Sequence, residues 1–314
     1  IFHGTDARPA YIDGFCDESS VDLNQHKNKD IRKFNDVDII NHINLTKARY
    51  RAVKKIEKYC NASVALQSYA HFFYKPAVSF LAIGLPQART SADVQDGNQR
   101  NSIARILHCP SHPEGKGTLE IRNALHSLKQ KGLRFEYVEI HGRPNSEVLE
   151  EIRSCDFVID QAFSDSPMAG FATEAAIFGK PAVVGGYYAS HISHDVAPNM
   201  IPPSLFCLPE QLEVCIEKMI VDESFRLNLG KKAQEFVQAN WSATRVARKY
   251  LDLIENNYPK SWLFDPQQTN YLHGIGLDEK KVKLLLRRVL EVGGVEALCL
   301  EARPKLKKMF LDLS

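Results

Sequence analysis

The sequence predicts an α/β protein with doubly wound parallel sheets. From residue 102 onward, short apolar runs alternate with longer amphipathic segments. The short runs are apolar throughout, as strands buried on both faces of a parallel sheet are. A weaker form of the same alternation precedes residue 86, so we expect two lobes of this kind, the first incomplete, followed by helices at the C-terminal end.

The elements of the second half are the clearer ones. Strands are predicted at 102–108, 133–140, 156–160 and 181–186, and helices at 117–132, 145–155, 170–179, 209–221, 223–239 and 243–257. The strand runs are rich in Ile, Val, Leu and Phe, whereas the helical segments repeat apolar residues every three or four positions. Gly179 supplies the stop signal of its helix. This half therefore predicts a parallel sheet with helices on both faces.

The first half shows weaker signals. Strands are predicted at 37–43 and 62–68 with a helix at 45–60 between them, residues 86–101 form a polar linker, and a late helix starts at Asp278 and breaks at Gly293. We therefore expect a partial Rossmann-like domain at 1–100, a second Rossmann-like domain at 101–260 and a helical extension at 261–314. The opening "IFHGTDARP" is typical of a strand end entering a loop, so we expect the natural N-terminus to lie further upstream.

Composition excludes several classes of protein. The net charge is only +2, whereas nucleic-acid-binding domains carry a larger, clustered basic surplus. The seven cysteines are odd in number and show no metal-ligand spacing, which argues against a disulfide scaffold or a zinc site. No apolar run approaches the ~18 residues of a membrane span, and no signal peptide opens the chain. We expect a cytoplasmic protein.

One lysine lies between two glycines in "HCPSHPEGKGTLEI", residues 108–121. The triphosphate-binding loop requires G-x-x-x-x-G-K-[ST], but Pro110 stands where the first glycine belongs and Gly117 follows Lys116, so that pattern is excluded. A cation between a strand and a helix at the carboxyl edge of a parallel sheet faces the crevice where ligands bind. The alternative is a solvated lysine in a first helical turn.

A second candidate lies in "DQAFSDSPMAGFATEAAIFGKPAVV", residues 160–184. A helix beginning near Gly170 leaves the backbone N–H groups of Ala169, Gly170 and Phe171 free to bind an anion. Glu174, one turn later on the same face, is suited to accept hydrogen bonds from ribose hydroxyls. The alternative is an ordinary glutamate favoured by the helix dipole.

These stretches, with "DESFRLNLGKKAQEFVQANWS", resemble the donor-binding half of GT-B glycosyltransferases of the family-four type over about residues 103–257. The resemblance implies that Lys116 binds the donor diphosphate, that Glu174 holds the ribose, and that the main chain at 169–171 contacts the diphosphate and sugar. Ser111 stands where many members carry a second cation, although subfamilies with a "PS....KGT" pattern also lack it. "FHGTDAR" resembles the end of the acceptor-side domain, which makes His3 and Asp6 the candidate catalytic residues, His3 reaching the donor sugar.

The chain departs from the family pattern in two places. Ser166, with Asp165 beside it, replaces a second glutamate that often contacts the sugar, and the glycine-rich loop that opens the family's first domain is missing. His3 and Asp6 could equally cap a turn.

Two further patterns have ordinary explanations. Asp36 and Asp38 form a D-x-D, which metal-dependent glycosyltransferases use, but we interpret them as residues that begin a strand and predict no metal site. The helix at 46–59 carries six Lys or Arg residues against one acid, Glu57. Such a helix either lies on an anionic membrane or is simply solvated.

The function expected is that of a metal-independent, hexosyltransferase-like glycosyltransferase in glycan or glycoconjugate synthesis. The donor would be a UDP- or GDP-sugar, the acceptor a glycan, lipid-linked or other hydroxyl, and the resemblance implies retention of configuration; we expect no cofactor and no nucleic acid. The alternatives are a sugar-nucleotide epimerase on the same fold and a catalytically silent sugar-nucleotide-binding module.

Overall fold

The computed structural model describes residues 6–14, 36–79 and 103–314. Its strands are β1 (Ala77–Val78), β2 (Ala104–His108), β3 (Phe135–Glu139), β4 (Phe157–Ile159), β5 (Ala182–Gly185), β6 (Leu205–Cys207) and β7 (Leu263–Phe264). Its helices are α1 (Asp36–Tyr59), α2 (Thr118–Gln130), α3 (Asn145–Ser154), α4 (Gly170–Ile177), α5 (Ile192–Asp195), α6 (Leu212–Val221), α7 (Glu223–Asn240), α8 (Ala243–Ile254), α9 (Glu279–Gly293) and α10 (Pro304–Leu313).

The chain forms two compact units. Unit 1 contains the described residues before position 80 together with 259–314, and unit 2 contains those from 103 to 258. None of the helices in the described ranges is long and apolar enough to span a membrane.

Unit 2 is built on a five-stranded sheet in the order β3-β2-β4-β5-β6, and every neighbouring pair is parallel. The doubly wound sheet predicted from the sequence is therefore confirmed. The run at 205–207 was not predicted as a strand, because three residues are too short to show a period. All residues of β4 and β5 are buried, as expected for strands covered on both faces. Helix α2 packs against α6, and α4 packs against α3 and α7.

The two strands predicted in the first half are wrong. Residues 37–43 belong to α1, because Ile39, Ile43 and Val53 recur at helical spacing and form its buried face. Residues 62–68 contain only an isolated bridge between Val64 and Val78, followed by a 3-10 turn. In the described part of unit 1, β1 and β7 form a two-stranded antiparallel pair.

The residues 261–314, expected to be a separate extension, pack into the core of unit 1. Helix α9 packs against α1, and the buried side chains of Val282, Leu285 and Phe310 belong to the same cluster as Tyr11 and Ile39. An amphipathic helix must bury its apolar face against another element. The partner of α9 lies more than 200 residues away in the chain, which spacing within the sequence cannot reveal.

Candidate functional site

The strand order of unit 2 places a ligand crevice next to β2. From β2 the chain first crosses to β3 on one side, then returns past β2 to β4 on the other. The loops that follow β2 and β4 therefore diverge at the carboxyl edge of the sheet, which is where open α/β sheets bind ligands. Both sequence-predicted anion-binding segments follow these two strands.

Lys116 lies in this crevice, in the turns between β2 and α2. Its Nζ atom donates a hydrogen bond to Oε1 of Gln161 over 3.0 Å and lies 3.8 Å from Oδ1 of Asp160, and both partners come directly after β4. The carboxylate of Asp160 is buried, and its Oδ2 atom has no hydrogen-bond partner among the described residues. The ammonium is thus held at the junction of the two loops and is not a solvated lysine.

Gly117 allows the loop after β4 to approach Lys116. Its φ angle of +68° is in the left-handed region, and a Cβ atom added there would lie 2.5 Å from Cβ of Ala162. The amide of Ala162 donates to the carbonyl oxygen of Lys116 over 2.9 Å. The glycine is therefore required both by the turn and by the close contact.

The loop between β4 and α4 is held by serine hydroxyl groups. Oγ of Ser164 accepts from the amide of Ser166 over 3.1 Å and donates to the carbonyl oxygen of the same residue over 2.7 Å. Oγ of Ser166 in turn donates to the carbonyl oxygen of Met168 over 3.3 Å. Ser166 therefore orders the segment that leads into α4.

The start of α4 presents free main-chain donors. The first amides of an α-helix have no intrahelical acceptor, and the N-cap Ala169 makes no side-chain bond to them. A Cβ atom added to Gly170 would meet no described residue within 4 Å beyond its own helix and chain neighbours, so there is open space beside this glycine. Gly170 is exposed, and Phe171 is partly buried. The arrangement suits an anion.

Glu174 faces α3. Its Oε1 atom accepts a hydrogen bond from Nδ2 of Asn145, the first residue of α3, over 3.0 Å. Cys109, which follows β2, lies within electrostatic reach of both Glu174 and Asp160: burial raises the pKa of its thiol, and the two carboxylates raise it further. Glu174 therefore belongs to the same edge of the sheet as Lys116.

The structure places the remaining candidates as follows. Ser111 is exposed in the loop after β2. Asp6 is an exposed residue of unit 1, and His3 lies outside the described residues, so their catalytic roles stay predictions. Sequence reasoning did not identify Gln161 and Asn145 as functional residues. The polar pair Asp160 and Gln161, directly after β4 and beside the crevice, was a usable signal for Gln161.

The two aspartates of the D-x-D lie at the start of a helix. Asp36 and Asp38 lie in the first turn of α1 and do not begin a strand, so that interpretation was wrong. Oδ1 of Asp36 pairs with Nη2 of Arg288 in α9 over 2.6 Å. Acidic residues favour a helix start, which explains their position. Among the described residues no group of three or more His, Cys, Asp or Glu side chains is suited to hold a metal.

Comparisons with known proteins give similarities at low identity. Sucrose-phosphate synthase from Thermosynechococcus elongatus is 16% identical with a TM-score of 0.44, over 67% of this chain and 62% of that one. Anabaena Alr3699/HepE in complex with UDP and glucose is 11% identical with a TM-score of 0.47, over 71% and 76%. TarM from S. aureus, in complex with UDP and two sugar ligands, is 14% identical with a TM-score of 0.43, over 73% and 49%.

The chain thus spans less than two thirds of the length of the sucrose-phosphate synthase and TarM chains that it resembles. No protein-family model matches the sequence, and no curated protein matches it.

Proposed function

We propose that the protein is a sugar-nucleotide-dependent glycosyltransferase of the GT-B type whose unit 2 binds the nucleoside diphosphate of the donor. The observation that supports the proposal is that Lys116 and the start of α4 lie in the two loops that follow the neighbouring strands β2 and β4, where the strand order of the sheet reverses. A diphosphate is the ligand whose size and charge suit an ammonium group and a row of main-chain amides together.

In the proposed reaction an acceptor hydroxyl oxygen forms a bond to the anomeric carbon of the donor sugar. The bond between that carbon and the diphosphate oxygen breaks, the electron pair remains on the diphosphate, and the hydroxyl proton is transferred to it. Lys116 and the α4 amides stabilise the negative charge that develops on this leaving group. They supply the positive charge that a metal ion supplies in other enzymes. Retention of configuration is the outcome that the family resemblance implies.

Glu174 would accept hydrogen bonds from the ribose hydroxyls, and its bond from Asn145 supports this role by fixing the carboxylate. His3 and Asp6 would act on the sugar and the acceptor. Ser111, at the exposed rim of the loop, would contact the diphosphate.

The proposal is tested by calorimetric titration of UDP and GDP into the wild type, Lys116→Ala and Lys131→Ala. A hydrogen bond to a charged group contributes roughly 1.5–3 kcal/mol, so Lys116→Ala should weaken binding about 10- to 100-fold. Lys131 lies at the C-terminal end of α2, whereas Lys116 precedes the start of that helix. The ammonium of Lys131 pairs with Glu213 over 2.6 Å. Lys131→Ala should therefore bind the nucleotides like the wild type. Equal affinity in Lys116→Ala would contradict the proposal.

Turnover separates the alternatives. The transferase should release UDP or GDP from a sugar nucleotide only when a hydroxyl acceptor is added. An epimerase would convert the sugar nucleotide without an acceptor, and a binding module would bind it without converting it.

We also propose that α1 of unit 1 contacts an anionic membrane. Lys47, Arg51, Lys54 and Lys58 recur at i, i+4, i+7 and i+11 and form one exposed strip. Val37 and Tyr59, at the two ends of the helix, are 64% and 71% exposed. Glu57, the one acid of this stretch, is buried and accepts from the amides of Tyr74 and Lys75, so it does not offset the strip. Cations beside exposed apolar residues suit anionic lipid headgroups.

Co-sedimentation with phosphatidylserine vesicles tests this contact. Lys54→Glu with Lys58→Glu should lower the bound fraction, whereas Lys231→Glu with Lys232→Glu on α7 should not. Equal loss in both pairs, or no binding by the wild type, would favour the solvated face.

A further inference from the structure

Gln161 connects the two halves of the candidate diphosphate site. Its side chain is only 5% exposed and lies in the loop directly after β4. Oε1 accepts from Nζ of Lys116 over 3.0 Å, and Nε2 donates to Oγ of Ser164 over 2.8 Å. A single amide group therefore touches both the lysine of the β2 loop and the serine that orders the β4 loop.

The chemistry fixes which way the amide points. An ammonium group can only donate, so the oxygen of Gln161 must face Lys116, and its nitrogen must then face Ser164. Ser164 accepts this bond while its own proton goes to the carbonyl oxygen of Ser166. At this buried position the side chain must therefore present an acceptor to Lys116 and a donor to Ser164. Only the amide group of a glutamine provides both at this length.

The bonds continue to the start of α4. Ser164 orders Ser166, the hydroxyl of Ser166 bonds to Met168, and Met168 is followed directly by the N-cap Ala169. The main chain adds a second anchor, because the carbonyl oxygen of Gln161 accepts from the amide of Gly185 in β5 over 2.8 Å. The position of Lys116 and the position of the α4 amides are therefore set through one residue.

We propose that Gln161 is a positioning residue that holds the ammonium of Lys116 in register with the α4 amides, so that a diphosphate meets both at once. The choice of a diphosphate as the ligand rests on the proposed function, whereas the hydrogen bond between Lys116 and Gln161 does not depend on it. Gln161 acts through Lys116 and Ser164. A preformed site avoids the cost of ordering a lysine side chain at the moment of binding.

The variant that tests it is Gln161→Met, which keeps the length and removes both hydrogen bonds. Gln234→Met is the matched control, since Nε2 of Gln234 donates to the carbonyl oxygen of Ile177 over 2.8 Å at the other end of α4. Both variants remove a glutamine hydrogen bond within unit 2, but only one of these bonds involves Lys116. Thermal unfolding identifies any variant that does not fold, and Gln161→Leu, which also removes both hydrogen bonds, then replaces Gln161→Met.

The first measurement is the rate at which an acetylating reagent modifies Lys116, followed by peptide mass spectrometry. The ammonium must leave Gln161 before its nitrogen can react, so Gln161→Met should raise the rate about 10- to 100-fold, the range of one hydrogen bond from a charged group. Gln234→Met should leave it unchanged. Equal rates in the wild type and Gln161→Met would overturn the inference.

The second measurement is a double-mutant cycle on UDP affinity. Gln161→Met should weaken binding about three- to tenfold in the wild type and leave it unchanged in Lys116→Ala, because its effect passes through the lysine. Equal loss in both backgrounds would overturn the positioning role. If the wild type binds no nucleotide, the proposed function fails, and the acetylation rates alone decide on Gln161.

Discussion

Nε2 of His108, at the end of β2, accepts a hydrogen bond from the hydroxyl of Thr118, the first residue of α2, over 3.0 Å. Nδ1 of the same ring lies 2.8 Å from the carbonyl oxygen of Ile159 in β4 and must be its donor. Burial lowers the pKa of this imidazole, which favours the neutral ring in which Nε2 is the acceptor. This ring joins β2, β4 and α2 below the crevice that holds Lys116.

Thr118→Val should destabilise unit 2, because it leaves Nε2 of His108 buried without a donor. The expected loss is about 1–3 kcal/mol of unfolding free energy. Thr118→Ser keeps the hydroxyl and should lose less. Urea unfolding followed by the fluorescence of Trp241 measures both variants, and equal stability would contradict the role of the hydroxyl group.

Gly117→Ala should lower both stability and UDP affinity. The new Cβ would meet Ala162 at 2.5 Å and would also strain a φ of +68°. Gly132→Ala is the control, since Gly132 has φ +87° with nothing within 4 Å and carries only the strain, roughly 1–2 kcal/mol. Urea unfolding and calorimetry should show the greater loss in Gly117→Ala, and a loss of affinity in that variant alone.

Glu174→Gln should weaken UDP binding while leaving the affinity for inorganic pyrophosphate unchanged. The carboxylate is assigned to the ribose hydroxyls, and a neutral amide accepts weaker hydrogen bonds. Asn145→Ala should have a smaller effect in the same direction, since it removes the bond that fixes the carboxylate. Calorimetry with both ligands measures this, and an equal loss for pyrophosphate would place Glu174 at the diphosphate instead.

Unit 1 should lose stability as the pH falls from about 6.5, the ordinary pKa of histidine. Burial lowers the pKa of His71 to about 3, and within the described part of the chain Nδ1 of its ring has no hydrogen-bond partner. Between these two values the unfolded chain binds a proton that the folded protein does not, which costs up to ~1.4 kcal/mol per pH unit. The sign is therefore a loss towards acid.

His71→Gln keeps a donor for the carbonyl oxygen of Tyr271, which accepts from Nε2 over 2.8 Å, and removes the titration. Its unfolding free energy should change about 2 kcal/mol less than that of the wild type between pH 7 and pH 5. Urea unfolding of unit 1, followed by the fluorescence of Trp262, measures the difference. A parallel pH dependence in the two proteins would rule out His71 as the cause.

Cys215 should be alkylated at a lower pH than an ordinary thiol. A hydrogen bond from Cys207 and the nearby ammonium of Lys218 lower its pKa, although partial burial opposes them. Cys155 is the internal control, because burial raises the pKa of its thiol to about 12. Iodoacetamide labelling at pH 7, read by peptide mass spectrometry, should modify Cys215 well before Cys155; Cys207→Ala should slow the labelling of Cys215.

The parallel sheet of unit 2 could be predicted because continuous apolar runs between amphipathic segments have few other solutions. Lys116 and the start of α4 could be found for the same reason, since each follows a predicted strand. In unit 1 the prediction at 37–43 was wrong, because the pair Ile39–Ile40 satisfies both a strand and a helix pattern. Burial decides between them: Ile39 is buried, whereas Ile40 is 44% exposed.

The sequence alone determined which residues carry charge and which are glycines without a Cβ. In unit 2 it also determined where short apolar runs alternate with amphipathic segments. These features depend only on local chemistry and spacing. Tertiary structure decided that Gln161 bonds to Lys116, that Asn145 fixes Glu174 and that α9 packs on α1. Each of these contacts joins residues far apart in the chain. They form only because strand pairing and the burial of apolar faces bring distant segments together, and no local pattern encodes that meeting.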